Sequence, residues 1–197
     1  MRQISLLILT AILLIPVAAT VALAAVPADV DTVRLILTAP DNQDFSMFEE
    51  SSLVEALIEI IENDPETAAY HEQVVSGALK VLGGLHVPEA VDVLIGKLEE
   101  YPTICLYWLG TYASADGVAA IVPYLDSEDA SVRYEAAAAL ASLPEGDLEN
   151  DEELVEQIWI AVESLYERTQ VEEDEAVKEA MQAALRHIMV DFFPAGE

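Results

Sequence analysis

From about residue 46 onward, apolar side chains recur at helical spacing, and the pattern predicts a run of helices broken at Pro65, Pro88, Pro102, Asp126–Asp129 and Pro144–Asp151. The three prolines are expected where helices begin, because the first turn tolerates a missing N–H. Residues 73–85 carry the pattern most clearly. Wound at about 100° per residue, Val74, Val75, Ala78, Leu79, Val81, Leu82 and Leu85 fall on one arc. Gln73, Ser76, Gly77, Lys80, Gly83 and Gly84 fall on the other. Gly83-Gly84 is expected to end this helix, with glycine as a left-handed cap. Each predicted helix is too short for a coiled coil, and short helices joined by short turns point to a stacked array.

Self-comparison supports an array. Ala78-Leu79-Lys80-Val81-Leu82-Gly83, Cys105-Leu106-Tyr107-Trp108-Leu109-Gly110, Ala136-Ala137-Ala138-Ala139-Leu140-Ala141 and Met181-Gln182-Ala183-Ala184-Leu185-Arg186 align without gaps. Their leucines, Leu82, Leu109, Leu140 and Leu185, are spaced by 27, 31 and 45 residues. Alternate helices keep the same register, with Val91, Leu94 and Leu98 each lying 27 residues before Val118, Ile121 and Leu125. Two helix types therefore recur as a unit, and each unit has an apolar face that only a neighbour can cover.

Leu125-Asp126-Ser127-Glu128-Asp129-Ala130-Ser131-Val132-Arg133, followed by Ala136, Ala137, Leu140 and Ala141, resembles a HEAT or HEAT-like repeat. In that family an acidic turn ends the first helix, a Val-Arg pair opens the second, and small residues let helices pack closely. Asp174, Val177, Lys178 and Leu185 repeat the signature with Lys in place of Arg. Tyr101 and Pro102, or Val74 and Val75, occupy the Val-Arg slots of the other units. The resemblance implies an all-α fold, an α-solenoid of about four stacked HEAT-like helix pairs over residues 46–192, with residues 25–45 as a linker or partial helix. It implies function only weakly, since the family consists mainly of binding scaffolds with some phycobilin lyases among its relatives.

Transferring the register places Cys105, Leu106, Trp108, Leu109 and Tyr112 in the core of one unit and Ala136, Ala137, Ala139, Leu140 and Leu143 in the next. The opposite column contains Lys80, Tyr107 and Ala138, with Ser76, Thr103 and Tyr134 beside it. In HEAT-like arrays the second helices line the concave side, so Lys80, Tyr107 and Tyr134 are the candidate partner-binding residues.

Composition changes the picture in one respect. The 197 residues hold 37 Asp and Glu against 8 Lys and Arg, a formal charge of −29, and 53% hydrophobic residues. That leaves enough apolar mass for a core and excludes a disordered tail. It also argues against nucleic acid as a partner, because phosphate binding requires clustered bases. A salt-adapted surface, recognition of a cationic partner and weak binding of divalent cations compete to explain the charge, and with only Lys80, Lys97 and Lys178 as lysines the first explains the global bias better than a local patch would.

At the N-terminus, Arg2 precedes an uncharged stretch from Ile4 to Ala28, and Ala22-Leu23-Ala24 fits a signal-peptidase site. Residues 1–24 are therefore expected to be a signal peptide, giving a periplasmic or extracellular protein that begins at Ala25. An uncleaved membrane anchor is the rival, since the stretch is long enough to span a bilayer of roughly 30 Å. Cleavage leaves 7 bases against 37 acids and one cysteine, Cys105, so no intramolecular disulfide can form.

The residues that could carry chemistry lack the spacing that it needs. His71, His86 and His187 lack zinc-ligand spacing, and are expected to be solvated or capping. Cys105 lies on the apolar arc and reads as an inert buried thiol. No cofactor or phosphate-loop fingerprint occurs, so neither a cofactor nor a metal is expected. Asp147, Glu149 and Asp151 mimic the start of a calcium loop, but Glu152 stands where glycine is required and Ile158 where the bidentate Glu belongs. The sequence thus reads as an exported, non-enzymatic protein-binding or assembly scaffold with a protein partner of unstated identity. A lyase-like or metal-assisted enzyme using the concave groove is the alternative, and membrane association would follow only from an uncleaved N-terminal segment.

Overall fold

Acidic and hydroxyl side chains start most of the helices among the described residues. Asp29, Ser114, Asp129, Asp151 and Asp174 each accept a hydrogen bond from a backbone N–H of the following first turn, at 2.8 to 3.2 Å. Every such bond satisfies a donor that the helix itself leaves unpaired, and carboxylate charge at that end suits the helix dipole. Much of the acidity near the turns is therefore structural.

The computed structural model describes residues 25–39, 44–144 and 151–193. The expected signal peptide at residues 1–24 and most of the Glu145–Glu153 acidic run lie outside the described residues. Nine α-helices occur among the described residues, and no strand. They are α1 Val30–Leu37, α2 Glu50–Asn63, α3 His71–Gly84, α4 Glu89–Gly96, α5 Pro102–Leu109, α6 Ala115–Ile121, α7 Ala130–Ala141, α8 Glu152–Val171 and α9 Glu175–His187. A 3-10 turn, Val122–Asp126, follows α6, and a π-helical turn, Ile188–Phe192, follows α9. Before α2 the chain closes on itself through Val26, whose N–H donates to Met47 at 2.9 Å and whose carbonyl accepts from Glu49 at 3.0 Å. No helix among the described residues is long and apolar enough to cross a membrane.

Pro102 is the first residue of α5 and Pro88 immediately precedes α4. Pro65 differs from expectation: it opens the turn between α2 and α3, where its carbonyl accepts from Ala68 at 2.7 Å, well before α3 begins at His71. The all-α expectation holds. Alternate helices pack in succession, α3 on α5, α5 on α7 and α7 on α9, while α4 packs on α6 and α6 on α8. Of the four aligned leucines, Leu82, Leu109 and Leu140 are fully buried and Leu185 only partly; Leu57 and Leu94 of the alternate helices and Leu125 of the 3-10 turn are fully buried too. Each fully buried side chain contributes about 1.5–3 kcal/mol by leaving water.

Two predicted positions are corrected. Gly83 was expected on the exposed arc, yet it is buried, because a Cβ there would come within 2.3 Å of Trp108 Cγ. Nor does glycine cap α3 in the left-handed region: no described glycine has positive φ, and His86 takes that role with φ 53°. Glycine is needed at position 83 for close approach of α5 rather than for backbone freedom. The aligned Gly110 serves the next joint in the same way, its missing Cβ lying 2.5 Å from the Ala139 carbonyl oxygen.

At the helix C-termini the next helix in the succession supplies a donor. Tyr112 Oη donates to the Gly83 carbonyl at 3.0 Å, Ser142 Oγ to Gly110 at 3.3 Å, and His187 Nε2–H to Leu143 at 2.8 Å. Each bond pairs a carbonyl near a helix end.

Arginine tethers two longer helices by their C-terminal ends. Asp64 and Glu172 occupy the C-caps of α2 and α8, where a carboxylate is opposed by the helix dipole. Arg34 of α1 pairs with Asp64, whose second oxygen accepts from His71 Nδ1 at 2.8 Å. Arg133 of α7 grips Glu172 bidentately at 2.8 and 2.9 Å, and its remaining nitrogen donates to the carbonyls of Ser127 and Glu128. Arg168 adds a third charge, 3.6 Å from Glu172 and 3.2 Å from Asp126. The Arg133 hydrogen bonds outweigh burial and hold the Glu172 carboxyl down to about 2. At Asp64 burial acts upward, but the bonds from Arg34 and His71 prevail and keep the carboxyl below its ordinary range.

Candidate functional site

The column read from the sequence runs along α3, α5 and α7, and the structure opens a groove of about 330 Å³ there. Lys80 comes from α3, Thr103, Ile104, Tyr107 and Trp108 from α5, and Glu135 from α7. Three helices packed in succession therefore contribute walls. Lys80 and Tyr107 share the groove, whereas Tyr134, although exposed, stands outside its lining.

The packing of α5 explains why an aromatic floor forms. Trp108 was expected to face the core and does so partly: its ring lies over Gly83 and Gly84 and remains half-buried. Tyr107 is 56% exposed and meets Trp108 edge to face, with ring centroids 4.9 Å apart and planes at 82°. This arrangement places the positive edge of one ring against the negative face of the other. His86 stacks on Tyr112 at 5.3 Å and presents its edge to Trp108, so the same ring set continues behind the groove. Among the described residues, neither Lys80 nor Glu135 has an ion-pair partner. The groove thus combines an apolar floor with one available cation and one available carboxylate on facing walls, chemistry suited to a peptide-like surface with an inserted apolar side chain.

Residues considered for catalysis take other roles. Cys105 is fully buried, and burial pushes its thiol up to about 12, which keeps it protonated and non-nucleophilic. His71, expected to be solvated or capping, pairs with Asp64 and links α2 to α3. His187 bridges α9 to the end of α7 in a bond that requires its Nε2–H tautomer, since the partner is a carbonyl. No group of three or more His, Cys, Asp or Glu residues placed to hold a metal occurs among the described residues.

Sequence reading missed a larger groove of about 760 Å³ along α8, lined chiefly by Trp159, Ile160, Tyr166 and Met189. Its signal was present in the helical periodicity of residues 152–171, where large apolar side chains share a face with carboxylates. The general acidity of the chain concealed it. No family model matches this chain, and no curated protein or solved structure does either.

Proposed function

We propose that this chain is an exported, non-enzymatic protein-binding or assembly module, an α-solenoid of about four HEAT-like helix pairs. The successive packing of α3, α5, α7 and α9, with a side chain reaching back to a carbonyl at each joint, supports the repeat architecture. The Arg133–Glu172 tether gives the Val-Arg element of the resemblance a physical task. Export rests on the charge and cleavage pattern of residues 1–24.

The groove shared by Lys80, Tyr107 and Trp108 carries the binding assignment. An exposed tyrosine on an aromatic floor buries large area with few rotatable bonds while keeping a polar tip for hydrogen bonding. Its walls come from three different helices, so the surface exists only when the units stack.

Affinity capture from the native exporting cells tests the assignment, using chain recovered from the exported fraction, whose intact mass should begin at Ala25. Tyr107→Ala should weaken retention of the captured protein by more than about 1 kcal/mol, roughly fivefold, and leave the melting temperature nearly unchanged. Unaltered retention would reject the groove. Recovery of the full-length chain only in membranes would replace the exported module with a tethered one.

A further inference from the structure

The outward face of α8 differs from an ordinary solvated helix face. Ten of its residues are exposed, and at about 100° per residue all ten fall within an arc of about 140°. Glu156, Glu163 and Glu167 alternate on that arc with Trp159, Ile160 and Tyr166, which are 48%, 41% and 62% exposed. Leu154, Ile158 and Leu165 point the opposite way and are buried, so the helix is already anchored without its outer apolar side chains. Leu185 and Met189 supply the far side of the groove, and Phe193 stacks on Trp159 at 4.3 Å.

Charge selects the occupant. Glu156 and Glu163 stand in the groove lining, no Lys or Arg does, and Arg168 is engaged with Asp126 and Glu172. A second copy would bring the same carboxylates and a formal charge of −29 to the contact, and would be repelled. A neutral apolar segment would strip water from the two carboxylates without replacing it. Apolar side chains interleaved with Lys or Arg at helical spacing satisfy both halves of the surface. We propose that this groove docks a cationic amphipathic helix of a partner protein, with apolar side chains seated between Trp159, Ile160 and Met189 and bases meeting Glu156 and Glu163. This assignment is independent of the Lys80–Tyr107 groove.

The test uses the full chain carrying Trp108→Phe, which leaves Trp159 as the only tryptophan, and a synthetic Leu/Lys amphipathic peptide of about 16 residues. Saturable one-to-one binding with a change in Trp159 emission is expected, weakening as salt is raised. A scrambled peptide of identical composition should bind at least tenfold more weakly. Ile160→Ala and Met189→Ala should each weaken binding at least fivefold, while Tyr107→Ala should not alter it. Glu163→Gln should flatten the salt dependence. Equal binding of the scrambled peptide, or indifference to Ile160→Ala and Met189→Ala, would overturn the proposal by reducing the effect to bulk charge. Concentration-dependent self-association abolished by Tyr166→Ala would overturn it in favour of a second copy.

Discussion

Arginine holds the two outer parts of the helix succession, whereas close packing at glycine holds the joints between them. At the outer positions Arg34 reaches the C-cap of α2, and Arg133 reaches the C-cap of α8. At the inner joints, α3 with α5 and α5 with α7, Gly83 and Gly110 admit Trp108 and Ala139. The difference follows what ends each helix. α2 and α8 finish on the carboxylates Asp64 and Glu172, which the helix dipole opposes and an arginine compensates, fixing that end in direction as well as position. α3 and α5 finish on Leu85 and Gly110, with no charge to compensate, so close approach is sufficient.

The largest expected effect tests the stronger tether. Arg133→Ala should destabilise the protein by about 3–5 kcal/mol in chemical denaturation, because Glu172 would keep its burial and lose its bidentate partner. Arg34→Ala should cost less, about 1–3 kcal/mol, since Arg34 is the more exposed arginine and His71 still donates to Asp64. The difference between wild type and Arg133→Ala should also depend on pH. Glu172 has its folded value lowered to about 2 from an ordinary 4.5, so the unfolded chain binds the proton more readily. The stabilisation is therefore complete above about pH 4.5 and is lost as pH falls toward 2. A stability difference that stays constant between pH 5 and 2 would show that the ion pair is not its source.

Gly110→Ala probes the inner joints and should cost about 1–3 kcal/mol, because its Cβ meets backbone, the Ala139 carbonyl oxygen at 2.5 Å and Cα at 2.6 Å. Gly83→Ala should also cost about 1–3 kcal/mol, because its Cβ would meet Trp108 Cγ at 2.3 Å, at the root of the ring, where turning the indole gives no relief. Altered tryptophan emission should accompany that change. A loss near zero would mean that α5 shifts aside freely at this joint.

Ser142→Ala should have the smallest effect, about 0.5 kcal/mol, as the one proton of this exposed hydroxyl is shared between the Ala139 carbonyl at 2.9 Å and the Gly110 carbonyl at 3.3 Å. A loss matching that of Gly110→Ala would reverse the roles of contact and bridge at this joint.

The buried register was legible because its determinants are local. Leu82, Leu109 and Leu140 announce themselves by spacing, and winding one helix was enough to place Val74, Val75, Ala78, Leu79 and Leu82 inside and Gln73, Lys80 and Gly84 outside, while Ser76, Gly77, Val81 and Leu85 lie half-buried at the boundary and Gly83 is buried. Glycine carries no side chain to mark a face, so its burial depends wholly on what a later helix brings, here Trp108. The Val-Arg pair was recognisable, but the acceptor of Arg133 lies 39 residues away at a helix C-cap, among many carboxylates of equal promise. Arg34 went unread for the same reason. Lys80 and Tyr107 were placed by register, while Tyr134, one position before Glu135, falls just outside the lining that neighbouring helices determine.

The bridges at the helix C-termini bear on how much this architecture asks of its gene. Their acceptor is always main chain, Gly83, Gly110 or Leu143, and every sequence provides a carbonyl at that place. Only a donor has to be encoded, and a phenol, a hydroxyl and an imidazole all meet the requirement despite their different reach. Helices joined in this manner are free to change in sequence without changing how they meet, so that a joint tolerates substitutions that a paired side-chain contact would not.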